Sequence, residues 1–99
     1  MKDFFGNEFS TAEMYKLVNL LTQAKIPFEV GEILGTLQVF YPQKKNPICD
    51  AICHAGSYGH EEGLLEIMGL VEGDSVEGYL TAEEVFERIK KNYEENSGK

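Results

Sequence analysis

Tryptophan is absent from this sequence, arginine occurs once, cysteine twice and proline three times. Each scarcity closes off a class of protein. A single arginine, Arg88, leaves no clustered basic surface for phosphate, so direct binding of DNA or RNA is not expected, nor is attraction to anionic lipid. Two cysteines make no disulfide framework and Met1–Gly6 carries no signal-peptide core, which points to the reducing cytoplasm. No apolar run approaches the ~18–20 residues that cross a bilayer. No period recurs, which removes collagen, coiled-coil and repeat architectures.

What is present suffices for a core. Apolar residues make up 42% of the 99 positions, with six Phe and five Tyr. One domain spanning 1–99 fits that length, and a chain of this size buries roughly 60–70% of its unfolded surface. The net charge of −8 is uneven. Residues 1–45 hold five acids and five bases, whereas residues 46–99 hold twelve acids and four bases. An acidic second half suits a basic protein partner; the plainer reading is that it keeps a small domain in solution.

Residues 1–8 read as an irregular lead-in. Ser10 is a good N-cap with Glu13 three residues on, and Met14, Leu17, Val18 and Leu21 fall on one helical stripe that should end near Ala24, since Pro27 disfavours helix at Ile26. Ile26, Phe28 and Val30 then alternate as a strand, and so do Leu37, Val39 and Tyr41, with Glu32–Thr36 as the connection. Pro47–His54 fits a short helix or a buried strand, and Ile and Cys favour the strand. Leu64–Leu70, bounded by Gly63 and Gly69, reads the same way, and Val71–Glu77 reads as an acidic turn. Thr81 with Glu84 opens a second helix whose stripe is Ala82, Val85, Phe86, Ile89 and Tyr93, with Glu84–Arg88 and Glu87–Lys91 as supporting pairs. Residues 94–99 should fray. The expected fold is a single α+β domain, α-β-β-β-β-α, with an antiparallel sheet of three or four strands and two helices on one face.

The runs Gly63-Leu64-Leu65-Glu66-Ile67-Met68-Gly69-Leu70 and Gly78-Tyr79-Leu80-Thr81-Ala82-Glu83-Glu84-Val85-Phe86-Glu87-Arg88-Ile89, with Ser57-Tyr58-Gly59, resemble small uncharacterised proteins of phages and prophages from Gram-positive bacteria. The likeness covers about residues 47–93. It implies a small accessory protein of a mobile element and assigns no residue a role.

Three groupings could carry chemistry. Cys49, Cys53, His54 and His60 form a Cys-x3-Cys-His-x5-His cluster, the metal-like alternative. A helix would bring the two cysteines within reach of one zinc, whereas a strand would hold them about 13 Å apart, as plain core cysteines. Gly56–Gly63 gathers Ser57, Tyr58, His60, Glu61 and Glu62 between two apolar runs, the candidate binding loop; the bland alternative is a tight connection with solvated polar groups. Ser57 with His60 sketches a nucleophile and base, but nothing supplies an oxyanion hole. Glu61, Glu62, Glu66, Glu72, Asp74 and Glu77 lack the ligand spacing of a calcium loop and read as a solvated surface. Of Tyr15, Tyr41, Tyr58, Tyr79 and Tyr93, Tyr58 is the one expected to be exposed.

The function these features favour is a non-enzymatic protein-interaction module without a cofactor, contacting a protein partner, basic in one version, through Ser57, Tyr58, His60, Glu61 and Glu62. The runner-up is a small metal-binding protein, and self-association through an open sheet edge would make a homodimer.

Overall fold

Met14, Leu17 and Leu21 lie on one side of the helix α1, Ala12–Gln23, and all three are 0% exposed. Burying each stabilises the fold by about 1.5–3 kcal/mol relative to leaving it in water. The structure is a computed structural model and describes residues 1–71 and 76–97. After α1 come β1 (Glu29–Ile33), β2 (Thr36–Tyr41), β3 (Cys49–Ile52), a 3-10 turn at His60–Glu62, β4 (Leu65–Met68), β5 (Val76–Leu80) and the helix α2 (Ala82–Ser97).

The strands form one antiparallel meander in the order β1-β2-β3-β4-β5. Val39, Ala51 and Ile67 stand side by side across its three central strands, each 1% exposed. Their face lies under α1 and α2, which also pack on one another. The class is α+β as expected, with five strands where three or four were anticipated.

The extra strand is β5. Val76 and Glu77, assigned above to a turn, pair with Met68 and Ile67. Glu66 is then opposed by two residues, Gly78 and Tyr79, before Leu80 meets Leu65. Tyr79 sits at φ 60. This bulge breaks the two-residue alternation, which hides the strand from pattern reading. Residues 72–75 of the expected acidic turn lie outside the described residues.

Other boundaries shift for local reasons. The first strand runs to Ile33 because a two-residue turn, Leu34-Gly35, with φ 49 and 78, joins it to β2. Positive φ at both positions is the hairpin geometry whose twist matches that of the strands. Helix α1 ends in a Schellman motif, with Ile26 N–H donating to Leu21 O, Lys25 N–H donating to Thr22 O and Lys25 at φ 59. Helix α2 continues through Ser97, where fraying was expected, since no Gly or Pro interrupts the sequence before Gly98. Cys49–Ile52 is a strand, as favoured.

The two capping signatures fare differently. At α2, Thr81 N–H donates to Glu84 Oε1 at 2.9 Å and Glu84 N–H donates to Thr81 Oγ1 at 3.2 Å, a closed capping box. At α1, Ser10 Oγ accepts the Ala12 amide, but Glu13 turns away and accepts the buried Ala82 amide at 2.8 Å. The carboxylate that sequence places on its own helix thus caps the other one. Arg88 likewise leaves Glu84 and forks onto Glu77 of β5. Thr81→Ala should cost about 1 kcal/mol, lowering the melting temperature by about 4–8 °C in a thermal scan; an unchanged midpoint would discount the box.

Candidate functional site

The chain leaves β3 at Ile52 and crosses residues 53–64 before β4, and glycine decides its path. Gly56, Gly59 and Gly63 all have positive φ. A Cβ at Gly59 would fall 2.8 Å from the Tyr79 nitrogen, so the loop lies directly against the β5 bulge. Tyr58 N–H donates to Glu66 Oε1 at 2.8 Å, and Tyr58 O accepts the Tyr79 amide at 3.3 Å.

This loop divides the five expected contact residues. Tyr58 is 60% exposed and Glu61 and Glu62 face solvent. Ser57 is 3% exposed and His60 8%. Ser57 Oγ donates to His54 O at 2.9 Å and accepts the His54 amide at 3.0 Å, holding the loop's first turn. It makes no bond to the His60 ring, whose Nδ1 lies 2.7 Å from the Ser57 carbonyl oxygen instead. The serine is therefore locked in a backbone clamp, and the sketched nucleophile–base pair is not assembled.

Nor are the four metal-like residues brought together. Cys49 and Cys53 lie four residues apart along an extended segment, about 13 Å for that spacing. Both are buried. Burial, the largest influence on each, pushes the Cys49 thiol up to about 12 and that of Cys53 up to about 11, the opposite of what a metal-ligating thiolate needs. Cys53 Sγ points at Ser10 O, His54 Nδ1 at Ala55 O, and both His60 nitrogens are engaged. Among the described residues no group of three or more His, Cys, Asp or Glu side chains is placed to hold a metal ion.

The N-terminal residues, expected to be irregular, form the second wall of the site. Lys2 and Glu8 make an antiparallel bridge and Phe9 N–H donates to Met1 O. Asp3 Oδ1 accepts the amides of Phe5 and Asn7, both at 2.9 Å, closing a turn around Gly6. Phe4 and Phe5 stand at its tip, 76% and 89% exposed. Sequence reading missed this segment because its order comes from one buried carboxylate and a partner 57 residues away, His60.

Between the two walls lies a depression of about 400 Å³, lined by Glu8, Phe9, Ser10, Glu61, Glu62 and Gly63. Three acidic residues thus line one groove, one of them from the half of the chain without net charge. Much of the acidic second half is engaged elsewhere: Asp50 with Gln38, Glu66 with Tyr58, Glu77 with Arg88, Glu83 with Lys16, Glu84 in its cap. Glu72 and Asp74 lie outside the described residues.

Comparison with protein-family models, curated proteins and solved structures returns no match for this chain. Among the described residues no helix is long and apolar enough to cross a membrane.

Proposed function

We propose that this chain is a small acidic, non-enzymatic interaction module of phage or prophage type, acting in the cytoplasm. Its groove between residues 8–10 and 61–63 receives a Lys or Arg side chain of a basic protein partner. The observation that carries this reading is that Glu8, Glu61 and Glu62, from two separate segments, line one depression together with Phe9, Ser10 and Gly63. A long cationic side chain suits such a groove, because its alkyl stem can lie along the apolar part of the lining while its head meets acidic residues. Tyr58, Phe4 and Phe5 are exposed on the segments that form the site and supply aromatic contact area of the kind that dominates interface energetics.

The test is affinity capture with the wild-type chain, a Glu8→Lys/Glu62→Lys variant, and a Glu94→Lys/Glu95→Lys control on the exposed end of α2. Glu61 is left unchanged because its carboxylate also faces His60. A partner held by wild type and control should fall by at least about tenfold with the groove variant, the range of a truncated charge contact. Equal capture by all three would overturn the groove as the contact site.

A further inference from the structure

Among the described residues, the polar partners of the His60 ring nitrogens are all hydrogen-bond acceptors. The His60 side chain is 10% exposed, and Phe9 packs on it in a T-shaped arrangement with ring centroids 5.2 Å apart at 84°. Nδ1 lies 2.7 Å from the Ser57 carbonyl oxygen and 2.9 Å from Glu61 Oε1, and Nε2 lies 3.1 Å from Asp3 Oδ2. A neutral imidazole has one N–H, so one nitrogen would meet an oxygen lone pair with its own. Asp3 does not supply the missing proton, because its other oxygen already accepts two amides, which holds it as a carboxylate. The imidazolium satisfies every partner.

The bond matters because of where it sits. Among the described residues, His60–Asp3 is the only hydrogen bond that joins residues 1–8 to anything beyond Phe9. The Asp3 side chain is itself only 4% exposed. We propose that His60 is a proton-operated bolt: as the imidazolium it fastens the Met1–Phe9 segment against the 3-10 turn and shapes the groove, and on losing the Nε2 proton, the other being kept on Nδ1 between Ser57 O and Glu61 Oε1, it releases that segment together with Glu8, Phe4 and Phe5. The regulatory consequence rests on the groove being the contact site; the bolt does not.

The window follows from the groups that face the ring, Asp3 from the N-terminal segment, Glu61 from the 3-10 turn and the Ser57 carbonyl from the loop. The Ser57 carbonyl raises the His60 pKa above 6.5, burial opposes it, and Asp3 and Glu61 add to the rise. Burial alone would raise the Asp3 carboxyl, but the Asn7 amide, His60 and the Phe5 amide together hold it below 3.8. A histidine raised on folding contributes its full stabilisation below its unfolded value and loses it as pH climbs through the folded one. A carboxylate lowered on folding contributes above its unfolded value and loses it as pH falls through the folded one. The bolt is thus closed at mildly acidic pH and opens as pH climbs through a midpoint above the usual histidine value.

Long-range nitrogen–proton NMR on the full chain tests this. Both His60 ring nitrogens should carry protons at about pH 6, with a midpoint above the usual histidine value of about 6.5. The amides of Phe4–Glu8 should titrate with that midpoint, and hydrogen exchange at Asn7 and Phe9, corrected for the intrinsic pH dependence, should quicken at least about tenfold above it. Asp3→Asn supplies a second arm. Its amide N–H can donate to a neutral Nε2, so the segment should stay fastened and the release above the midpoint should vanish. A neutral His60 at about pH 6, an N-terminal segment indifferent to the titration, or an Asp3→Asn variant that still releases would each overturn the bolt. None of these readouts needs a partner, so they stand or fall apart from the capture experiment.

Discussion

Gly69→Ala should lower the melting temperature by about 10–20 °C, the largest effect expected from adding one methyl group to this chain. Gly69 closes β4 at φ 91, where an L side chain is strained. A Cβ there would collide with the Ile48 carbonyl oxygen and press to 3.0 Å on Cys49 Cα. Both obstacles are backbone at the start of β3, so no side chain can swing aside and the strands must part. Overpacking of about 1–3 kcal/mol adds to backbone strain of about 1–3 kcal/mol, a large share of a typical ~5–15 kcal/mol total. Gly78→Ala makes the informative contrast. Its Cβ would collide with Tyr58, but φ there is not positive and the obstacle is a loop. That variant should melt a few degrees lower at most while losing the Tyr79–Tyr58 bond. Paired thermal scans and amide spectra separate the cases; a Gly69→Ala chain with wild-type stability would mean that β3 and β4 do not approach this closely.

The helices were legible because their evidence is local. A stripe such as Ala82, Val85 and Ile89 states its own period, and Thr81-x-x-Glu84 is a cap whose two halves lie within one turn. The same pattern at Ser10-x-x-Glu13 misleads, since Ala82 offers Glu13 a buried amide from 69 residues away and sequence spacing does not record that offer. Strand β5 failed for a different reason. With Gly78 and Tyr79 together facing Glu66, its side chains do not alternate, and the period-two pattern that marks a half-buried strand is lost.

The candidate loop was found by composition, because three glycines among polar residues mark a segment whose backbone must turn sharply. Composition does not say which polar groups point inward. Ser57 and Tyr58 both carry a hydroxyl, yet Ser57 is buried and clamps His54 while Tyr58 faces solvent. The second wall was invisible for want of any local pattern: Asp3 and His60 find one another only after the meander has brought residues 53–64 back beside the N terminus. Glu8, counted within the half of zero net charge, reaches the groove by the same route.

At about pH 8, the two thiols of the folded chain should be nearly silent toward a disulfide reagent and should react fully in denaturant. A free cysteine near 8.5 is about one quarter thiolate at that pH. With the thiol pushed up to about 12, Cys49 keeps about one part in ten thousand as the reactive form, and Cys53, at about 11, about one part in a thousand. Both sulfurs are also out of contact with reagent, Cys49 at 2% and Cys53 at 0% residue exposure. Folded-state modification should therefore run at least about a hundredfold slower than in the unfolded chain, and its residual rate should scale with the population of the opened fold. The experiment also separates a Cys-rich segment used for chemistry from one used for packing. Rapid reaction of one thiol under native conditions would place that cysteine at the surface and undo the register in which Cys49 stands beside Tyr41 and Ala51 beside Val39. Slow reaction of both, released together by denaturant, is the behaviour of two small apolar side chains that fill the space beneath α1 and α2.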